Sequence, residues 1–244
     1  MEITGKVIII TGASEGIGYA TAQLFARHGA KLALVARSEE KLRALASACP
    51  EALVIPTDMR DEQAVRTMVR SVEQHYGRID ALINNAAQGM HVPVEQADLQ
   101  QYRSIFELNV VGPLVAMQAV IPIMRRQGGG VIVNISSGTT KITLPGLAPY
   151  ASTKHALNAL SLTARLELAR DHISVGVVYP GIVATAFNDH LANGQWQPPE
   201  GIWQNRGGSR PPVFTADEVA EAILEAVQTE VAEISTQKKA PELE

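Results

Sequence analysis

Tyr150 and Lys154 are four residues apart in a segment with the apolar period of a helix, so their side chains share one helix face. A phenol, whose ordinary pKa is about 10, is a poor acid or base at neutral pH. A neighbouring ammonium group lowers the pKa of a phenol because it favours the phenolate form. The spacing therefore predicts a site of proton transfer, although it also arises by chance on many helices.

Two polar residues lie in elements that lead to this pair. Ser137 follows the strand-like run Val131–Ile135, and a hydroxyl group there can hold and polarise a substrate carbonyl. Asn109 lies in an apolar helical stretch, where asparagine is unfavourable and a buried amide needs partners. It either binds a water that reaches Lys154 or makes a structural hydrogen bond. The candidate catalytic residues are Asn109, Ser137, Tyr150 and Lys154.

A glycine-rich segment joins the first predicted strand, Lys6–Thr11, to the first predicted helix, Ile17–His28. Its G-x-x-x-G-x-G spacing lets the backbone turn tightly, and the free N–H groups at the helix start can bind a pyrophosphate. The alternative is a tight turn without a ligand. The predicted cofactor-binding residues of this segment are Gly12, Ser14, Glu15, Gly16, Ile17 and Gly18.

Arg37 stands at the end of the second predicted strand, Lys31–Ala36. An NAD-binding site normally places an acidic residue there, about twenty residues beyond the glycines, on the adenosine ribose. A guanidinium group instead suits a 2′-phosphate. This favours NADP(H) over NAD(H), whereas the carboxylate of Glu15 favours the opposite; an exposed arginine without a ligand is the alternative.

Asp58 follows the third predicted strand, Ala52–Thr57, at the edge where ligands bind in open α/β sheets. Its carboxylate can accept a hydrogen bond from the adenine amino group. It can equally serve as the N-cap of the next predicted helix, Glu62–Tyr76.

Strand-like apolar runs and helical segments alternate along the chain, which predicts an α/β fold. We expect a doubly wound parallel sheet of the Rossmann type, with about seven strands and helices on both faces. Residues 1–244 are interpreted as one domain, with a substrate loop at about 186–214 and a frayed tail at 237–244. Thr215 and Glu218 predict a capping box before a helix at Asp217–Thr229.

The sequence resembles the short-chain dehydrogenase/reductase family over nearly its whole length. The matching segments are TGASEGIG (11–18), NNAA (84–87), LNVVG (108–112), NISSG (134–138), YASTK (150–154) and PGIVAT (180–185). Ala87 replaces the last glycine of the family's NNAG motif. The resemblance adds Asp58, Met59, Asn85, Ala86, Tyr150, Lys154, Pro180, Gly181, Val183 and Thr185 to the expected cofactor-binding residues.

The resemblance also implies roles for the catalytic candidates. Tyr150 exchanges the proton, Ser137 stabilises the carbonyl oxygen, Lys154 binds the nicotinamide ribose and lowers the pKa of Tyr150, and Asn109 helps a water relay. It further implies a homodimer or homotetramer, formed through long helices at about Leu99–Gln127 and Tyr150–Arg170.

Candidate substrate residues are Ser137, Gln88, Leu144 and Phe187, and their surroundings are mostly apolar. They favour a hydrophobic or amphipathic ketone or a 3-oxoacyl compound as substrate. The competing function is a catalytically idle NADP-binding sensor or scaffold, which the fold alone would permit.

The net charge of −4 and the scattered basic residues give no footprint for nucleic acid or an anionic membrane. The start of the chain lacks the features of a signal peptide. Cys49 is the single cysteine, so no intrachain disulfide can form, which suits the cytoplasm. We expect no metal site.

Overall fold

The computed structural model describes residues 1–192 and 212–236. The strands there are β1 (Val7–Thr11), β2 (Lys31–Ala36), β3 (Leu53–Pro56), β4 (Ala81–Asn84), β5 (Gly130–Ile135), β6 (Ile173–Tyr179), β7 (Ile182–Val183), β8 (Val213–Phe214) and β9 (Glu233–Ser235). Seven of these form a parallel sheet in the order β3-β2-β1-β4-β5-β6-β9.

Helices cover both faces of this sheet. They are α1 (Gly16–Arg27), α2 (Glu39–Ala46), α3 (Glu62–Tyr76), α4 (Leu99–Phe106), α5 (Gly112–Arg126), α6 (Ala148–Leu168) and α7 (Ala216–Thr229). Alternate strand residues point to opposite faces, so Ile8 packs with α1, α2 and α7, whereas Ile9 packs with α3, α5 and α6. Apolar residues are needed on both faces, which explains the continuous apolar runs of the strands. The predicted fold class is confirmed.

The long helix predicted at Leu99–Gln127 contains an irregularity that the sequence did not indicate. A single π turn, Glu107–Val111, separates α4 from α5. Residues 99–126 are long and apolar enough to cross a membrane, but half of that apolar window is buried in the protein. The helix lies against α3 and the sheet, as expected for a core helix.

The segment between β6 and α7 contains regular secondary structure near both of its ends. β7 and β8 pair in parallel, which joins the beginning of this segment to its end. A 3₁₀ turn covers Ala186–His190. Residues 193–211 of the predicted substrate loop, which include Trp196 and Trp203, lie outside the described residues, as does the predicted frayed tail 237–244.

Side-chain caps at the starts of two helices test two predictions made from the sequence. The capping box is present: Glu218 N donates to Thr215 Oγ1 over 3.2 Å, and Thr215 N donates to Glu218 Oε2 over 2.7 Å. The N-cap of α3 is Asp61, which accepts from Ala64 N over 2.9 Å, so the alternative role of Asp58 as this N-cap is wrong.

Candidate active site

A cleft of about 1050 Å³ opens at the carboxyl ends of β1, β4, β5 and β6. The chain leaves β1 towards one edge of the sheet and β4 towards the other, and ligands bind at such a switch point in open α/β sheets. The volume is slightly above the roughly 300–1,000 Å³ that is typical of ligand pockets. The cleft can therefore hold a cofactor together with a small substrate.

Most of the residues predicted for the site line this cleft. They are Gly12, Ser14, Glu15, Gly16, Ile17, Arg37, Asp58, Met59, Asn85, Ala86, Gln88, Ser137, Leu144, Tyr150, Lys154, Pro180, Gly181, Val183, Thr185 and Phe187. Gly18 and Asn109 do not line it. A Cβ atom on Gly18 would lie 2.3 Å from the Gly12 carbonyl oxygen, so this glycine allows α1 to approach the loop before it.

The start of the glycine loop is hydrogen-bonded to Asn85, the first residue after β4. Asn85 Nδ2 donates to the carbonyl oxygens of Thr11 and Gly12 over 3.0 and 3.3 Å. Gly12 and Gly16 have φ values of +68° and +57°, which favour glycine. Glu15, the N-cap residue of α1, makes no side-chain capping bond, so the first N–H groups of α1 are free to bind an anion.

Charged side chains surround the end of the cleft next to β2. Arg37 is exposed there, and no ion pair joins it to another residue in the described part of the chain. Lys41, from the first turn of α2, places Nζ 2.9 Å from Glu15 Oε2. His190 Nε2 lies 3.2 Å from the other oxygen of the same carboxylate. Lys41 and His190 were not predicted, although Lys41 is only four residues beyond Arg37.

Asp58 and Arg60 form a further polar group beside the cleft. Asp58 Oδ1 accepts from Arg60 N over 3.0 Å and from Arg60 Nη1 over 3.4 Å. Arg60 Nη2 also donates to Gln88 Oε1 over 2.8 Å. Arg60 was not predicted, because nothing in its local sequence indicates that it meets Gln88 and Ser104 from two other segments.

The structure brings Ser137, Tyr150 and Lys154 together on the floor of the cleft. The phenol of Tyr150 hydrogen-bonds with Ser137, whose Oγ also accepts from Thr139 N over 3.2 Å. Lys154 Nζ donates to the Ile135 carbonyl oxygen over 2.8 Å and lies 5.8 Å from the centre of the Tyr150 ring. Tyr150 and Lys154 are 7% and 2% exposed, which largely excludes solvent from both groups.

Burial determines the protonation of this pair. It raises the pKa of the Tyr150 phenol far above its ordinary value, and the hydrogen bond with Ser137 lowers that pKa by a smaller amount. Burial lowers the pKa of Lys154 from 10.5 to about 7. Ser137, rather than Lys154, is thus the group that opposes the effect of burial on Tyr150 here, because a lysine with this pKa is only partly charged near neutral pH.

The side chain of Asn109 makes structural hydrogen bonds. Its Oδ1 accepts from Gln88 N over 2.9 Å, and its Nδ2 donates to Gln88 O over 2.9 Å and to Thr153 Oγ1 over 3.1 Å. Asn109 is completely buried in the π turn. Of the two roles left open by the sequence, the structural one accounts for the side chain.

Beyond Tyr150 the cleft is mostly apolar. The Phe187 ring centre lies 5.7 Å from that of Tyr150, and the His91 ring centre lies 6.2 Å from it. The apolar residues that complete this end are Ile142, Leu144, Pro145, Leu147 and Leu191. Burial lowers the pKa of His91, so its imidazole is mainly neutral at pH 7.

A sequence model described as short chain dehydrogenase matches residues 6–196. The chain belongs to the short-chain dehydrogenase family. Members of this family bind a nicotinamide cofactor and act on small molecules, and this short-chain dehydrogenase is an oxidoreductase.

Two similar relatives of this short-chain dehydrogenase are uncharacterized oxidoreductases. The protein from Methylorubrum extorquens is 37% identical over 189 residues, which are 75% of this chain and 75% of the relative. The protein from Thermotoga maritima is 34% identical over 188 residues, which are 75% of this chain and 73% of the relative.

Two solved structures share the fold. A short-chain dehydrogenase from Streptomyces avermitilis has a TM-score of 0.82 at 30% identity, over 95% of this chain and 88% of that one. A 3-ketoacyl-(acyl-carrier-protein) reductase from Brucella melitensis, complexed with NADH, has a TM-score of 0.83 at 23% identity, over 96% of this chain and 97% of that one. At that identity the second likeness concerns the fold alone.

Proposed function

We propose that this short-chain dehydrogenase transfers hydride between NADP(H) and a carbonyl/alcohol pair on a hydrophobic or amphipathic substrate. The observation that carries the proposal is the convergence of Ser137, Tyr150 and Lys154 in one buried cluster, in a cleft whose other end is the glycine loop. A catalytically idle sensor or scaffold would not need all three of these residues, so their presence together favours the enzyme.

The residues present fit a dinucleotide. The uncapped start of α1 offers N–H groups to the pyrophosphate, together with Gly12, Ser14 and Gly16. Asp58, Met59, Asn85 and Ala86 would hold the adenosine half, whereas Pro180, Gly181, Val183 and Thr185 would hold the nicotinamide half. The nicotinamide, when bound, supplies or accepts the hydride.

Three features favour NADP(H) over NAD(H). Arg37 is exposed at the cleft and has no carboxylate partner among the described residues, so its guanidinium can bind a 2′-phosphate. Ala36 takes the place where an acidic residue would repel that phosphate. The carboxylate of Glu15, which would otherwise oppose an anion, is bonded to Lys41.

In the direction of reduction, Tyr150 donates its proton to the carbonyl oxygen of the substrate. Ser137 donates a hydrogen bond to the same oxygen and so stabilises the developing negative charge. Thr139 N donates to Ser137 Oγ, which directs the serine hydroxyl proton away from the backbone and towards the substrate. Lys154, whose pKa is about 7, can gain and lose a proton beside Tyr150 at working pH.

The apolar end of the cleft supports a ketone or a 3-oxoacyl compound rather than a charged sugar derivative. We test this with a panel of apolar ketones and 3-oxoacyl thioesters, following the NADPH absorbance band with NADH in parallel. We expect oxidation of NADPH with at least one apolar carbonyl compound. No oxidation of either nucleotide across the panel contradicts the proposal.

Assembly, domain organisation and location belong to the same proposal. We expect residues 1–244 to form one domain and the chain to be a homodimer or homotetramer. Leu99 on α4 and Leu166 on α6 are 62% and 80% exposed, which suits burial against a second copy. The single, buried Cys49 suits a cytoplasmic protein. Light scattering coupled to size-exclusion chromatography measures the assembly.

A further inference from the structure

Gln88 follows the strand-end motif NNAA and lies between the two halves of the cleft. Both of its backbone polar groups are bound by the buried side chain of Asn109, each over 2.9 Å. The backbone of Gln88 therefore cannot shift without breaking hydrogen bonds inside the protein. Its side chain projects from a fixed point.

The two ends of the Gln88 side chain bind different parts of the protein. Oε1 accepts from Arg60 Nη2 over 2.8 Å, and Nε2 donates to the carbonyl oxygen of His190 over 2.9 Å. Arg60 is itself held by Ser104, with Nε 3.0 Å from Ser104 Oγ. The amide thus links Arg60, beside the cofactor end of the cleft, to the segment around His190 at its substrate end.

That segment, residues 186–192, rests on Gln88 and its neighbour Gly89. Ala192 N donates to Gly89 O over 2.9 Å. A Cβ atom on Gly89 would lie 2.6 Å from Leu191 Cδ2 and 3.0 Å from Phe187 Cε1, so the segment packs closely on this backbone. Phe187, in the same segment, lies against the Tyr150 ring. The position of the segment determines how much space is left for a substrate beside the phenol.

From these contacts we infer that Gln88 is a positioning residue, which holds segment 186–192 at the substrate end of the cleft, rather than a residue that contacts the substrate. The inference rests on the proposed function for its kinetic consequence, but the contact itself exists without turnover. An uncharged amide is suited to this task, because it accepts from Arg60 and donates to a carbonyl with one group.

Two variants separate the contacts. Gln88→Met keeps the length of the side chain and removes both hydrogen bonds. Gln88→Glu keeps an acceptor for Arg60 but sets an oxygen against the His190 carbonyl, so it removes the contact with the segment alone. Gln118→Met is the matched control, since Gln118 Oε1 also accepts from an arginine, Arg66 Nη2, over 3.1 Å but is exposed on α5 away from the cleft.

The first readout is hydrogen–deuterium exchange of the full-length chain over residues 187–192. We expect both Gln88 variants to exchange faster there by a factor of about five, the usual equivalent of one lost hydrogen bond, while the Gln118 control matches the wild type. Unchanged exchange in Gln88→Met, or a normal rate in Gln88→Glu, overturns the inference.

The second readout is steady-state kinetics with a carbonyl substrate found in the panel. We expect KM for that substrate to rise about tenfold in both Gln88 variants, with kcat changed less than twofold and with the Kd for NADPH changed much less than KM. A lower melting temperature with an unchanged KM would mean a merely structural role and overturns the inference. A wild type that turns over no carbonyl compound instead contradicts the proposed function, and the exchange result still decides whether Gln88 holds the segment.

Discussion

Asn109 satisfies both backbone polar groups of Gln88 with one side-chain amide, and it reaches Thr153 on α6 with its second N–H. Three elements of the active site thus meet at one buried side chain: the turn after β4, the π turn and α6. Replacement of Asn109 removes the side-chain partner of both backbone groups of Gln88, whereas Thr153 Oγ1 still donates to the Tyr150 carbonyl oxygen over 2.8 Å.

We expect Asn109→Ala to lower the free energy of unfolding by about 3 kcal/mol, because each buried polar group left unpaired costs about 1–3 kcal/mol. Urea denaturation measures this value. Asn158→Ala is the control, since the Asn158 Oδ1 atom has no hydrogen-bond partner among the described residues. A loss below about 1 kcal/mol for Asn109→Ala, or equal losses in both variants, would show that these hydrogen bonds matter little.

Tyr150→Phe removes the phenol hydroxyl and keeps the ring that packs between Phe187 and His91. We expect kcat to fall at least about 10³-fold, within the range that a general acid contributes, while the Kd for NADPH stays within a factor of about two. Stopped-flow or steady-state absorbance and a fluorescence titration provide the two measurements. Tyr19→Phe, an exposed tyrosine on α1, should behave as wild type. Substantial residual turnover in Tyr150→Phe refutes its assignment as the acid.

The pKa of Lys154 has a consequence for stability. The pKa is about 7 in the folded protein and 10.5 ordinarily, so the unfolded chain binds more protons at pH values between the two. This group therefore makes the protein more stable as pH rises from about 7 towards 10.5. We expect the urea midpoint of the wild type to rise relative to that of Lys154→Met as the pH is raised from about 7 to about 9.5. Groups common to both proteins, such as Cys49, cancel in the difference. A constant difference across this range would mean that Lys154 titrates normally.

Arg37→Ala tests the preference for NADP(H). We expect the Kd for NADPH to rise about 10- to 100-fold, the equivalent of one charge-assisted hydrogen bond, and the Kd for NADH to change less than about twofold. Arg43→Ala is the matched control, because Arg43 is an exposed arginine on α2 that pairs with Glu39 and does not line the cleft. Equal weakening of both nucleotides by Arg37→Ala removes the case for a 2′-phosphate contact.

Much of the fold could be predicted because its signals are local. The observed bounds of β2 and α3 are those predicted, since each element is an apolar run or an amphipathic period bounded by caps and turn residues. Residues that end strands of one parallel sheet meet at one edge, so Gly12, Arg37 and Ser137 could be placed in one cleft from the strand pattern. Pro180 and Gly181 were expected there only from the family resemblance.

The missed features depend on contacts between segments far apart in the chain. Glu15, Lys41 and His190 form one polar group, but nothing in their separate surroundings indicates that they meet. The π turn likewise lies against a segment that is distant in the chain. The apolar pattern runs through residues 99–126 without a break, whereas Gly112 lies so close to Met59 that a Cβ atom would be 2.3 Å from the Met59 carbonyl oxygen. The catalytic roles of Ser137, Tyr150 and Lys154 stay predictions until the variants are measured.

The π turn also bears on which changes of chain length the protein can accept. It holds one residue more than a regular α turn, so deletion of a single residue within 107–111 would restore ordinary helix geometry. The deletion would nevertheless rotate everything before it by about 100° relative to α5, and Asn109 would leave its partners. In this protein a one-residue deletion in the most regular-looking segment should be more harmful than one of equal size in an exposed turn between elements.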